Sequence, residues 1–276
     1  MQPPQPPPRP VRLVAIDLDG TLLNDAKQVS ERTAIALRDL PGRGVRVVIA
    51  SARPPRSVRL IYRLLELDTL SIHYNGALIW DEPGRRAVFH QPLPGELVAE
   101  IVEVARDYFD DVCVGCEVMD RWFTDAVDDR YVTETGRLFK PDVVAPLETF
   151  VHNDTTKLML SGDPMMIAKL ESLLLTRFGD RVLVLQTDDD LLQIAHPGAG
   201  KAAAVRWVAD HYGVPMEQVM AIGDAPNDVG MLQQAGVAVA MDNAKSVVKD
   251  VADWIAPSNN DHGVHAALVR FGLSDQ

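Results

Sequence analysis

The sequence predicts an α/β protein: a parallel-sheet core flanked by helices, interrupted by an inserted α+β module. Three observations predict it. Continuous apolar runs alternate with helix-patterned segments at both ends of the chain, the texture of strands buried on both faces of a parallel sheet. Between about Gly84 and Leu192 the pattern changes to short strands interleaved with longer helices. The chain has 276 residues, 47% of them hydrophobic, enough for one large or two smaller cores.

Taken in order, Val11 to Ile16 is the first strand candidate. Ser30 is placed to cap a helix over Glu31 to Leu40, which "PGRG" ends. Val45 to Ala50 is the next strand. The run "SARPPRSVRLIYRLLEL" turns into a helix with Leu60, Leu64 and Leu67 near one face. "SIHYNGALIW" is a strand, a turn at Asn75-Gly76 and another strand. In the insert, "VCVGCEVM", "RWFTDAV", "KLMLSG" and "VLVLQT" are strand-like, and Pro94 to Tyr108 and Pro164 to Phe178 are helical. The α/β alternation then resumes with a helix over Ala202 to His211 and a strand over Val219 to Asp224. A helix in "NDVGMLQQA", a strand in "GVAVAM" and a helix in "NAKSVVKDVA" follow. The expected organisation is a disordered Pro-rich tail over 1–10, a Rossmann-like core over 11–83 and 193–276, and an inserted cap domain over 84–192.

The formal net charge of −12 argues against a nucleic-acid binder with a basic surface and against docking on anionic membranes. A small phosphorylated partner remains compatible, because a metal and a few cations can reverse the field inside a cleft. The opening "MQPPQPPPRP" lacks the apolar centre of a signal peptide, so the cytoplasm is the expected location. Cys113 and Cys116 lack the second pair that a four-thiolate zinc site needs, and "DDVCVGCEVMD" continues as a strand; they read as ordinary strand residues. The run Asp188 to Asp190 reads as a solvated turn. His196 and His262 show no metal-binding spacing.

Four segments end strands or open helices of the expected sheet, where open α/β sheets bind ligands. Asp17 and Asp19 follow the first strand, one residue apart and therefore on one side of it. Ser51 and Arg53 follow the second, Lys201 precedes a helix, and Asp224, Asn227 and Asp228 follow a later strand. Converging carboxylates, a hydroxyl and an ammonium suit phosphoryl transfer with Mg²⁺, a hard cation that takes few carboxylates. An aspartate can attack phosphorus directly. A serine and a lysine can hold the equatorial oxygens. "HPGAGKA" is not a P-loop: Ala195 stands at the first glycine position and Ala202 at the metal-binding hydroxyl.

"DLDGT", the serine of "ASAR", the lysine before a helix and "GDAPND" resemble the four ordered motifs of the haloacid dehalogenase superfamily of phosphohydrolases. The insert enters where a type IIB cap does in Cof-like phosphatases, and the ending from "AMDNAKSVVKDVADWIAPSNNDHGV" is also similar. The resemblance implies Asp17 as nucleophile and metal ligand. It implies Asp19 as general acid/base and, through its backbone carbonyl, as a metal ligand. Ser51, Lys201 and Asn227 are implied as phosphate contacts, Asp224 as a metal ligand, and Asp228 as a carboxylate that binds or orients the metal. Asn75 and Gly76 match a turn at the cleft mouth, with Arg53 as a further substrate contact. Ala52 and Asp242 stand where the subfamily has glycines. The implied function is Mg²⁺-dependent hydrolysis of a small phosphorylated metabolite, a sugar phosphate first, through an aspartyl-phosphate. A phosphomutase and a phosphate-sensing module phosphorylated on Asp17 are the alternatives. Arg85, Trp122 and Lys157 are candidate selectors in or near the cap.

Overall fold

The computed structural model describes residues 10–131 and 134–275, so the expected Pro-rich tail lies outside the described residues apart from Pro10. In chain order its strands are β1 (Leu13–Ile16), β2 (Arg46–Ile49), β3 (Leu70–His73), β4 (Leu78–Asp81), β5 (Arg86–His90), β6 (Cys113–Val118) and β7 (Arg121–Thr124). They continue with β8 (Val143–Val144), β9 (Lys157–Ser161), β10 (Leu183–Asp188), β11 (Leu191–Ala195), β12 (Val219–Gly223), β13 (Val237–Met241) and β14 (Trp254–Ala256).

The core is a five-stranded sheet in the order β14-β13-β12-β1-β2, with every pairing parallel. All four residues of β1 are buried, as expected of a central strand covered on both faces. Helices Glu31–Asp39, Pro55–Leu64, Lys201–His211 and Gly263–Arg270 contribute buried residues to the cluster around this sheet. Ser30 caps the first of them, accepting from Thr33 N at 3.3 Å.

Two expectations are corrected. The expected shared face of Leu60, Leu64 and Leu67 is not one buried face: Leu60 is 74% exposed and Leu64 47%, whereas Leu67, beyond the helix Pro55–Leu64, packs against the core. The helix begins at Pro55, and its phase is set by Val58, Tyr62 and Leu65, an i, i+4, i+7 stripe that is buried. The third strand does not simply extend the parallel sheet. β3 pairs with β4 and β4 with β5, both antiparallel, and this three-stranded sheet touches the core sheet through a bridge between Ala50 and Ile72.

A six-stranded sheet in the order β10-β11-β9-β6-β7-β8 forms the second layer system. Helices Gly95–Tyr108 and Pro164–Phe178 pack on one of its faces. Alternation sorts its residues. Val114, Cys116, Leu158, Leu160, Leu192 and Ile194 point into the helix-covered core. Glu117, Lys157, Met159, Leu191 and Gln193, of opposite parity, line a cleft on the other face. β5 and β11 each cross an expected boundary: β5 lies beyond 83 yet pairs with β4, and β11 runs from Leu191 to Ala195 in the six-stranded sheet. Cys113 and Cys116 are free thiols on β6, and burial pushes the Cys116 thiol up to about 12. Asp189 and Asp190 make the turn between β10 and β11. Among the described residues no helix is long and apolar enough to cross a membrane.

Candidate active site

The site is built at the carboxyl edge of the core sheet. Asp17 leaves β1 directly, and the chain reverses at Gly20, whose φ of +79° favours glycine. A Cβ there would also come within 2.4 Å of Asp224 Oδ2, so the turn packs directly against the next carboxylate loop. Thr21 Oγ1 donates to Asp224 Oδ1 at 2.7 Å, and Asn243 Nδ2 donates to Gly20 O at 2.7 Å. Asp224 follows β12. Asp228 folds back beneath it, with Oδ2 accepting from the backbone N–H groups of Asp224 and Ala225, each at 3.0 Å. Gly223 makes room for this, since a Cβ there would lie 2.6 Å from Asp228.

Lys201 opens helix Lys201–His211 and is 2% exposed. Its Nζ donates to Asp17 Oδ1 and, at 2.7 Å, to Asp228 Oδ1. Both oxygens of Asp228 are therefore engaged within the protein. Asp17 Oδ2 is buried and has no hydrogen-bond partner. The carboxylates of Asp17, Asp224 and Asp228 offer oxygens that lie within 4.8 Å of one another. Three carboxylates against one ammonium leave a surplus of negative charge in a nearly dry place. Burial first, and the neighbouring carboxylates after it, push the Asp17 pKa up to about 7 despite Lys201. Asp224 is raised for the same first reason. The orphaned oxygen, the hard donor set and the uncompensated charge all fit a divalent cation.

Asp19 stands apart from this cluster. Arg53 Nε donates to its Oδ2 at 2.6 Å, and Arg53 Nη2 and Lys27 Nζ both reach Oδ1, the latter at 2.8 Å. Burial alone would raise its pKa, but these bonds outweigh burial and hold the carboxyl below its ordinary value. Ser51 is 1% exposed. Its Oγ accepts from Arg53 N at 3.1 Å, and its carbonyl accepts from Asn75 N at 3.1 Å. Asn75, at φ +55°, accepts on Oδ1 from Asn227 Nδ2 at 2.9 Å. Gly76, at φ +103°, lies where a Cβ would meet Gly200 O at 2.4 Å, so the turn seats against the start of the Lys201 helix. All ten expected site residues thus meet at one sheet edge. Gly20, Thr21, Lys27 and Asn243 join them unforeseen. Thr21 was legible as the last residue of "DLDGT"; Lys27 and Asn243 carried no spacing signal. Neither Ala52 nor Asp242 is among the described residues with positive φ, so neither position needs glycine for its backbone conformation.

Facing this edge is a cavity of about 740 Å³ whose core wall includes Asp19, Arg53, Asn75 and Asn227. Its other wall is the open face of the six-stranded sheet. A second cavity of about 460 Å³, lined in part by Trp122, shares Met159 and Leu191 with it. The two bodies are clasped beside the cleft by Arg56 to Glu117 at 2.6 Å, Arg59 to Asp120 at 2.6 Å, and Tyr74 Oη donating to Met119 O at 2.6 Å. Lys157 lines the cleft; Arg85, in the turn before β5, does not.

The family model for haloacid dehalogenase-like hydrolases matches residues 14–268. The chain is 30% identical over 265 residues to 5-amino-6-(5-phospho-D-ribitylamino)uracil phosphatase YitU of Bacillus subtilis, covering 94% of this chain and 97% of that one. It is 27% identical over 259 residues to the Escherichia coli protein of the same activity name, YbjI, covering 92% and 93%. Among solved structures, a haloacid dehalogenase-like hydrolase from Bacteroides thetaiotaomicron superposes with a TM-score of 0.86 at 29% identity, covering 94% of this chain and 99% of that one.

Proposed function

The chain belongs to the haloacid dehalogenase-like hydrolases and is a phosphatase; from that premise we propose that it is Mg²⁺-dependent and hydrolyses a small phosphorylated metabolite, a sugar or polyol phosphate first, through an aspartyl-phosphate on Asp17. The observation that carries the reading is the Asp17 carboxylate, with one oxygen fixed by Lys201 and the other buried without a partner beside Asp224. The relative named for a phosphoribityl compound supports a polyol phosphate within that class.

Asp17 and Asp224 would hold the ion, with the Asp19 carbonyl as a further ligand. Asp228 has both oxygens engaged, which favours orienting the Asp224 loop and Lys201 over direct binding. Bound there, a divalent ion supplies neutralising charge for the carboxylates and the phosphoryl group. Lys201, Ser51 and Asn227 bind and orient the phosphoryl oxygens. Asp17 attacks phosphorus, the bond to the leaving oxygen breaks, and Asp19 delivers a proton to that oxygen. Asp19 then takes a proton from water, which displaces phosphate and regenerates Asp17. Arg53 and Lys27 favour ionised Asp19, the state required for the second step; for the first step Asp19 must carry the proton it took from water in the preceding turnover, which requires these bonds to loosen when substrate binds. The wall carrying Glu117, Lys157 and Met159 receives the leaving group, and we assign the module built on the six-stranded sheet, which ends with β11 at Ala195, as the cap that selects it.

The test is phosphate release across sugar phosphates, nucleotides and phosphorylated cofactors, with and without chelator. Release that stops on chelation and returns with Mg²⁺ is expected. Undiminished turnover in excess chelator would rule out the metal-dependent mechanism.

A further inference from the structure

The cleft wall opposite Asp17 carries a buried lysine side chain to which no carboxylate is bonded. Lys157 on β9 and Glu117 on β6 are direct cross-strand partners and share a face. Glu117 is nevertheless occupied elsewhere. Its Oε1 accepts from Arg56 Nη2 at 2.6 Å and its Oε2 from Tyr74 Oη at 3.2 Å. Lys157 is 9% exposed and its side chain makes no hydrogen bond or ion pair with any described residue; its Nζ stands 5.3 Å from the centre of the Tyr74 ring. Burial lowers its pKa, Glu117 resists this, and Arg56 adds to it. Arg56, Arg59 and Lys157 stand against Glu117, Asp120 and Glu82, so the cluster is balanced in charge, but the carboxylates bond the two arginines and Lys157 is left without a bonded partner. Three buried donor atoms also lack partners: Arg56 Nε and Nη1, and Oγ of Ser57, a residue that lines the same cleft.

A desolvated ammonium with no bonded partner is costly, and an anion supplied by a ligand removes that cost. The transferring phosphoryl group is not that anion, because Asp17, Ser51 and Lys201 receive it on the core wall. We propose that Lys157 anchors a second anionic group on the leaving-group side of the substrate, so that this phosphatase prefers phosphomonoesters whose alcohol portion carries a carboxylate or a second phosphate. The inference rests on the phosphatase reading above and narrows its substrate class. Arg56 is part of the device: it occupies Glu117 Oε1, so that oxygen is not bonded to Lys157.

The test uses the full chain with Mg²⁺ and substrate pairs that differ in the extra anion. Glucose 6-phosphate against 6-phosphogluconate probes a carboxylate; fructose 6-phosphate against fructose 1,6-bisphosphate probes a second phosphate. At least one acidic member should exceed its neutral partner in kcat/KM by about tenfold or more, and the pair that shows it identifies the anion. Lys157→Met should lower that ratio by about 10- to 100-fold, mostly through KM. Glu117→Gln, which keeps an acceptor for Arg56, should retain or raise the ratio. Ratios near one in the unaltered protein for both pairs overturn the proposal. So does an equal loss on both members in Lys157→Met, the mark of a merely structural lysine. Should Lys157→Met fail to fold, the unaltered ratios and Glu117→Gln decide, a collapsed ratio in the latter counting against the proposal. Absence of phosphate release from every substrate, p-nitrophenyl phosphate included, strikes the phosphatase reading itself and this inference with it.

Discussion

The two walls of the cleft are built on opposite principles. On the core wall almost every reactive group is tied by a bond from another part of the chain: Asp17 and Asp228 by Lys201, Asp224 by Thr21, Asp19 by Arg53. On the facing sheet, the Lys157 side chain is unbonded and Met159 and Gln193 border open volume. Loops at strand ends can be stitched to one another, because consecutive parallel strands deliver them to one edge. An open sheet face delivers side chains singly, two residues apart, into the space a ligand takes. The difference teaches where tolerance to change lies: rearranging the core wall disturbs the reacting atoms, whereas altering the facing wall changes what fits beside them.

The sharpest way to break this comparison is at Asp17. Asp17→Asn should cost about 10⁴-fold or more in turnover and leave no labelled phosphoenzyme, since an amide is a poor nucleophile. Asp19→Asn should lose about 10²–10⁴-fold on alcohol leaving groups, yet give a burst of aryl leaving group and trapped phosphoenzyme, because attack survives while water activation does not. Rapid-quench time courses with labelled phosphate separate the two. Label on Asp17→Asn but not on Asp19→Asn would reverse the assignment.

Gly20→Ala tests whether the stitching itself matters. The new methyl must displace Asp224 and adopt a left-handed backbone, a cost of about 1–3 kcal/mol. Turnover should fall about tenfold or more and the Mg²⁺ requirement should rise, both read from metal titrations. Unchanged metal dependence would show that the turn tolerates slack. On the facing wall, Met159→Ala should raise KM for bulky substrates about three- to tenfold while kcat on a small aryl phosphate changes less.

The smallest effect is on stability. His73 is fully buried beneath Arg53, with Nδ1–H donating to the Arg53 carbonyl at 3.0 Å and Nε2 accepting from Ser71 Oγ at 2.8 Å. Burial depresses its pKa from 6.5 to about 4. Between those values the unfolded chain binds the extra proton, so the stability that neutral His73 contributes is full above pH 6.5 and lost as pH falls towards 4. His73→Gln should flatten that acid limb in urea unfolding at pH 7 and pH 5. An unchanged slope would assign the acid sensitivity elsewhere.

Much of the core was legible because its signals are local. Apolar runs mark β1, β2 and β12, and the reactive residues follow those strands immediately, so strand order alone brings Asp17, Ser51 and Asp224 to one edge. Lys201 was legible as the residue that opens a helix. The facing of helix Pro55–Leu64 was not, because a helix rich in leucine offers several apolar stripes and only the neighbouring sheet selects one. Lys27 and Asn243 escaped for a related reason: their partners, Asp19 and the carbonyl of Gly20, are reached only when loops distant in sequence close on each other. By itself the sequence determined the α/β class and the family, and it named the candidate residues that follow the strands, since these depend on periodicity and on residues adjacent in the chain. Tertiary structure alone decided which oxygen of Asp17 stays unpaired, that Arg56 occupies Glu117 Oε1, and that the Lys157 side chain meets the cleft unbonded. Such pairings join groups tens of residues apart, and no local pattern encodes them.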